Sequence, residues 1–344
     1  AHPDRLGQPF DLYVVPHRAP ARWRAAPALN DFSGTVESGT VQSGSLRDNL
    51  QVAWEAPDVL ETFLSGWDVV LDFGKDGRLD PGDLIEGLGA EPAFWSTPDL
   101  AAPGPWSTTT RLRDDGGWLG QQIFYPSDPA AVPGLLPLVV ISHGNGHDYR
   151  WYDHLGTHLA SWGFVVMSHK NNTGPGIETA STTTLQNTEH FLANHASWFD
   201  GVLSGRVDVH NIAWIGHSRG GEGVVRAFRR LNGTWSSDHY VPDDIRVISS
   251  IAPTVFLGIT QSNPLGKSYH LIAGGADGDV TGGVDCSICQ YLRLPYGSVG
   301  PIAVTYVHGA SHNKFHNGGG WDDSTGPAPR SEERRVGKEC RSRW

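Results

Sequence analysis

Nowhere in these 344 residues do about 18 apolar residues follow one another, so no membrane-spanning helix is expected. Basic residues are also short: 26 Lys and Arg face 37 Asp and Glu, a formal net charge of −11. That balance argues against nucleic acid or an anionic membrane surface as a partner. Three cysteines and one methionine are too few for a disulfide scaffold. No internal repeat and no long low-complexity segment occurs. What is present is an ordinary globular balance, 38% hydrophobic and 18% charged, with 43 Gly and 23 Pro. The length suits two domains, or one large α/β domain with an appendage.

The chain begins at Ala1 without a methionine or signal peptide, which reads as a fragment or a mature chain without its leader. The other end changes character. Residues 330–344 switch to dense Arg, Lys and Glu with no apolar period and resemble the in-frame translation of a sequencing adapter. They are read as a non-native tail, with the natural C-terminus missing. Leaving out Cys340 leaves Cys286 and Cys289. Few cysteines, one Met and 13 Trp, with the calcium-type loop described next, suit a secreted or periplasmic protein.

Residues 1–110 carry short apolar runs broken by turn residues: Leu12–Val15, Gly34–Val36, Gly39–Val41 and Val69–Leu71. This predicts a small β-rich module. Within it, Asp72 to Asp83 places acidic residues at positions 1, 5, 9 and 12, glycine at 6 and leucine at 8. A Ca²⁺ loop needs oxygens on that spacing and a glycine at the sharp bend. The ligands are then Asp72, Asp76, Arg78 through its carbonyl, Asp80 and Asp83. Gly74 at position 3 offers no side-chain oxygen and Asp83 is shorter than the usual Glu, so the loop is more similar to those of dockerins than to a regulatory EF-hand. An acidic turn without metal is the alternative; in either case the role is structural.

Pro98–Pro105 reads as a linker, and residues 111–329 alternate between strand and helix patterns. Leu138–Ile141 is a continuous apolar run of the kind a doubly covered parallel strand requires. A helix is expected over Tyr152–Ser161, a strand over Phe164–Met167 and a long helix over Thr183–Leu203. Strands follow at Ile245–Ile251, Tyr269–Ala273 and Ile302–Val307. The fold class is α/β, a parallel-type sheet with helices on both faces.

The chemistry centres on Ile212-Ala213-Trp214-Ile215-Gly216-His217-Ser218-Arg219-Gly220-Gly221: a strand, then Gly-x-Ser-x-Gly, then a helix over Glu222–Leu231. A turn this tight tolerates no Cβ at Gly216 or Gly220 and leaves Ser218 strained and exposed above the sheet. A serine hydroxyl needs an imidazole to take its proton and a carboxylate to orient that imidazole. His312, in the loop after the last strand, is the expected base; His308 is structural and His316 farther out. The carboxylate follows the strand ending at Ala273, where Asp277 stands in Gly-x-x-Asp and Asp279 competes. The oxyanion needs two backbone N–H donors: Arg219, after the nucleophile, and Asn145, in the His143-Gly144-Asn145-Gly146 loop. Glu222 is given a structural role. Cys286 and Cys289 form either a short disulfide bracing the acid loop or unpaired thiols. Trp151 and Tyr149, beside the oxyanion loop, are exceptions among aromatics otherwise assigned to the core.

Taken together, the elbow, the His-Gly loop and the late Asp and His resemble an α/β-hydrolase over roughly residues 111–320. Within that superfamily the chain is similar to the exported serine esterases: platelet-activating-factor acetylhydrolases, chlorophyllases, dienelactone hydrolases and cutinase-like polyester hydrolases. The resemblance implies hydrolysis of a small-molecule or polymeric carboxylic ester through an acyl-enzyme, without a catalytic cofactor. A peptidase or amidase on the same triad is the alternative, as is a non-catalytic, calcium-braced binding protein. The helix that follows the histidine loop in that superfamily is not recognisable in Phe315–Pro329.

Overall fold

The computed structural model describes residues 3–32, 34–42, 65–89, 91–96, 99–280 and 293–318. Cys286, Cys289, Cys340, Pro98 of the expected linker, residues 319–329 and the adapter-like tail lie outside the described residues. Contacts divide the chain into two units, residues 1–102 and 103–344.

In the first unit, β1 (Pro9–Pro16) pairs antiparallel with β2 (Glu37–Thr40) and with β3 (Ser65–Asp72). The short strands β4 (Leu84–Glu86) and β5 (Phe94–Ser96) both add to β3. Residues 34–36, expected as a strand, are not one. The sequence also gave no warning of α1 (Pro20–Ala25), which starts on a proline whose missing N–H is harmless in a first turn. It places Trp23 against Tyr13, Val15, Leu29 and Val70 in a small core. The fully buried Asp68 is partnered there by Trp23 Nε1 (3.0 Å), the Arg18 amide (3.0 Å) and His17 Nδ1 (2.6 Å).

The second unit is built on β6 (Thr108–Asp114), β7 (Gly120–Pro126), β8 (Leu136–Ser142), β9 (Val165–His169), β10 (Val207–His217), β11 (Ile245–Ile251), β12 (Ser268–Gly274) and β13 (Ile302–Val307). Among the described residues these form one sheet in the order β13-β12-β11-β10-β8-β9-β7-β6. Every pairing is parallel except β6–β7 and β7–β9, so the expected parallel sheet carries an antiparallel edge. β6, which begins at Thr108 and pairs with β7 along its whole length, belongs to this second unit.

Alternation along β8 shows how the sheet is covered. Leu138 and Val140 enter the large core with Leu185, Phe191, Val224 and Phe228, from α3 (Ile177–Asn194) and α4 (Arg219–Leu231). Val139 and Ile141 face the other way, toward Tyr152 and Ala160 at α2 (Asp153–Ser161). Burial on both faces is why the strand reads as an unbroken apolar run.

The helix expected over Thr183–Leu203 lies instead at Ile177–Asn194. Its Ser- and Thr-rich start hid it. The hydroxyls of Ser181, Thr184 and Thr188 donate to carbonyls one turn back, which makes them compatible with a buried helix. Beyond its end, Phe199 and Asp200 take positive φ (53° and 61°), which no helix continues through.

Candidate active site

β10 ends at His217 and α4 begins at Arg219, leaving Ser218 alone in the turn at φ 56°, ψ −124°. A Cβ on Gly216 would stand 2.2 Å from the Gly220 carbonyl oxygen, and one on Gly220 2.2 Å from that of Ser142. Both glycines are therefore required by contact with backbone, which cannot give way. The helix starts three residues earlier than the sequence suggested, because the turn closes directly on Arg219. The Ser218 carbonyl accepts from the amides of Gly221, Glu222 and Thr254 (2.9, 3.2 and 3.2 Å), fixing the strained residue from three sides.

Glu222 has the structural role expected of it. Fully buried, its carboxylate accepts from the amides of Phe256 and Leu257 (both 2.7 Å) and from the hydroxyls of Thr254 (2.8 Å) and Ser262 (3.1 Å). It pins the loop after β11. Glu222→Ala leaves those four donors without an acceptor, so urea unfolding should show a loss of about 2–4 kcal/mol; an unchanged midpoint would mean the loop holds without it.

The loop after β8 packs against Ser218, since a Cβ on Gly144 would lie 2.8 Å from Ser218 Cβ. His143 clasps this loop to the one after β9: Nε2 accepts from the Asn171 amide (2.9 Å) and Nδ1–H donates to the Gly144 carbonyl (2.7 Å). Asn145 Oδ1 accepts from Arg219 Nη1 at 3.3 Å, so the two residues expected to supply oxyanion donors are adjacent. The Arg219 amide belongs to the first helical turn, whose N–H groups have no intrahelical acceptor. A cleft of about 410 Å³ opens beside this loop, lined by residues that include Trp118, Asn145, His147, Lys170 and Asn172.

Asp277 and His312 meet in the interior. Asp277 Oδ2 lies 2.9 Å from His312 Nδ1, with the two residues 6% and 1% exposed. The other carboxylate oxygen accepts from the amides of Asp279 and Val280 (both 3.0 Å). This geometry favours the tautomer with a proton on Nδ1 and a lone pair on Nε2, which is the one a base requires. Asp279 is half-exposed and approaches the opposite nitrogen, Nε2, at 3.5 Å. The His312 ring centroid is 4.8 Å from that of His217, the residue preceding Ser218.

The expected calcium residues belong to the first unit, and the carboxylates of Asp72, Asp76 and Asp83 turn to the loop's own amides. Asp72 accepts from Lys75 (2.6 Å) and Gly77 (2.8 Å), Asp76 from Arg78 (3.0 Å), and Asp83 from Phe73 (2.9 Å) and Asp80 (2.7 Å). Gly77, at φ 73°, makes the sharp bend.

Sequence reasoning missed a cluster around Tyr152. This residue is fully buried, and its hydroxyl lies 3.0 Å from His147 Nδ1 and 2.8 Å from His217 Nδ1. His316, expected farther out, is buried with its ring 4.4 Å from that of His147, whereas His308 is exposed. Trp151, singled out by its position, packs 5.0 Å from His316. His217 closes β10 while His147 and His316 lie in loops, so the three carry no common spacing and only folding reveals them together.

Burial sets the electrostatics here. It pushes His169 down to about 3, against a smaller opposing effect of the Lys170 carbonyl. Burial and then the neighbouring His316, His143 and His312 push His147 down to about 3. His217 falls well below its ordinary value for the same kinds of reason. Between pH 6.5 and 3 the unfolded chain binds protons that these folded groups refuse. Stability is therefore full above about pH 6.5 and falls as the pH drops. His169 alone should lower the unfolding free energy by about 2 kcal/mol between pH 7.5 and 5, which urea midpoints at the two pH values measure; equal midpoints would contradict it.

Residues 89–258 match the family model described as PET hydrolase-like, an α/β-hydrolase-type family of ester hydrolases. The match spans the Gly144 loop and Ser218 and stops short of Asp277 and His312. No curated protein matches the chain.

Proposed function

Residues 89–258 belong to an α/β-hydrolase-type family of ester hydrolases, and from that membership we propose that the chain is a serine hydrolase of carboxylic esters. Ser218 attacks the ester carbonyl and His312 Nε2 takes its proton. Asp277 holds His312 in the required tautomer and stabilises the imidazolium. The amides of Asn145 and Arg219 hold the oxyanion. The tetrahedral adduct collapses as His312 protonates the departing alcohol, and water, activated by the same imidazole, then releases the acid from the acyl-enzyme.

The observation that carries this reading is the buried Asp277–His312 pair at 2.9 Å. A carboxylate and an imidazole enclosed together need a reason, and orienting a base whose ring lies 4.8 Å from that of His217, next to Ser218 in the chain, is one. A fluorophosphonate probe tests it: covalent labelling at Ser218 supports the enzyme, and folded protein that never labels favours the non-catalytic binding protein. Matched ester and amide substrates then separate the esterase from a peptidase or amidase.

Two further parts of the reading rest on sequence. Export from the cell fits the acidic, cysteine-poor composition; among the described residues no helix is long and apolar enough to cross a membrane. Structural Ca²⁺ at residues 72–83 rests on the spacing of the loop. Adding Ca²⁺ to chelator-treated protein should then raise the melting temperature, and Asp72→Asn should remove the rise; no response in the parent chain would leave an acidic turn without metal.

A further inference from the structure

We propose that His147, His217 and His316 form a binding site for a borderline divalent transition ion of the Zn²⁺ type. Each offers one ring nitrogen, and the three atoms lie within 4.8 Å of one another. Among the described residues it is the one group of three or more His, Cys, Asp or Glu side chains placed so. Ring centroids are separated by 4.4 Å (His147–His316), 4.9 Å (His147–His217) and 5.7 Å (His217–His316), with interplanar angles of 62°, 47° and 47°. The rings are tilted toward one another rather than stacked. Tetrahedral ligation at about 2.0–2.1 Å needs nitrogens about 3.3 Å apart, a contraction that small ring rotations supply.

The donor chemistry selects the metal. Three imidazoles with no carboxylate among them suit Zn²⁺, Co²⁺, Ni²⁺ or Cu²⁺ and offer little to Ca²⁺ or Mg²⁺. Three His ligands leave a fourth position for water. His217 Nε2 is buried, and the ring also bonds the His312 backbone, a contact given up on ligation through that nitrogen. The opposite nitrogen is held by Tyr152 Oη, which also holds His147 Nδ1. A hydroxyl bound to two of the ligands is the kind of outer partner that orients imidazoles at metal sites. His316 gives up one contact on ligation, either Nε2 to Asn313 Oδ1 (3.2 Å) or Nδ1 to the Gly318 amide (3.1 Å).

The ligands come from three separate segments, a strand end and two loops. His147 is in the loop after β8, His217 directly precedes Ser218, and His316 lies four residues after His312. An ion bound here ties the three together, and binding to the folded state alone raises the melting temperature. None of this depends on the esterase reading, because occupancy is measured directly.

The test is calorimetric titration of the chelator-stripped full chain with Zn²⁺, repeated on His147→Gln and His316→Gln. The expected result is one ion per parent chain, a raised melting temperature, and affinity weakened at least about tenfold in each variant. A hundredfold excess of Ca²⁺ should not displace the ion. No saturable binding by the parent chain, or binding undiminished in both variants, overturns the proposal. Should neither variant fold, Co²⁺ bound to the parent chain decides: the intense visible band of a tetrahedral nitrogen-ligated ion supports the site, and its absence overturns it.

Discussion

Ser218→Ala should lower turnover of a p-nitrophenyl ester by about 10⁴-fold or more, with the melting temperature almost unchanged. The asymmetry follows from what each part of the residue does. The backbone of Ser218 organises the turn, with its carbonyl accepting three amides and its φ at 56°. Alanine keeps that backbone and its Cβ and removes only the oxygen proposed to form the acyl-enzyme. Residual catalysis would come from binding and the oxyanion donors alone. Turnover within tenfold of the parent chain would remove Ser218 from the mechanism, whatever the fluorophosphonate result.

Asp277→Asn should cost about 10³–10⁴-fold in kcat, whereas Asp279→Asn should cost less than about tenfold. Asn can present its amide nitrogen to His312 Nδ1, which moves the ring proton to Nε2 and takes away the lone pair needed for the serine proton. Asp279 does not reach Nδ1; it is half-exposed and faces Nε2 at 3.5 Å. Equal losses in the two variants would mean that the two carboxylates act jointly, and a larger loss at Asp279 would reverse the assignment. The pair therefore resolves an ambiguity that a Gly-x-x-Asp spacing leaves open by two residues.

The elbow was legible because its constraints are local. Gly216 and Gly220 are forced by backbone atoms of the turn and of the neighbouring strand end, and so they leave a fixed spacing in the text. β8 was legible because burial on both faces demands an apolar residue at nearly every position. Strands β11 and β13 fall on the residues expected, Ile245–Ile251 and Ile302–Val307. The first third of α3 was missed because Ser181 and Thr182 satisfy themselves on a carbonyl of their own helix, and polarity then stops reporting exposure. His316 was misjudged because distance along a loop says nothing of the direction in which the loop returns.

By itself, then, the sequence determined the class of sheet, the strand–Ser218–helix turn and the short list of candidate partners, since each is encoded by neighbours within about ten residues. Tertiary structure alone decided which carboxylate meets Nδ1 of His312 and that His147, His217 and His316 converge on Tyr152. The physical reason is that contacts between loops depend on how crossovers bring strand ends together at one edge of the sheet. That arrangement is set by packing of the whole domain, and no local spacing records it.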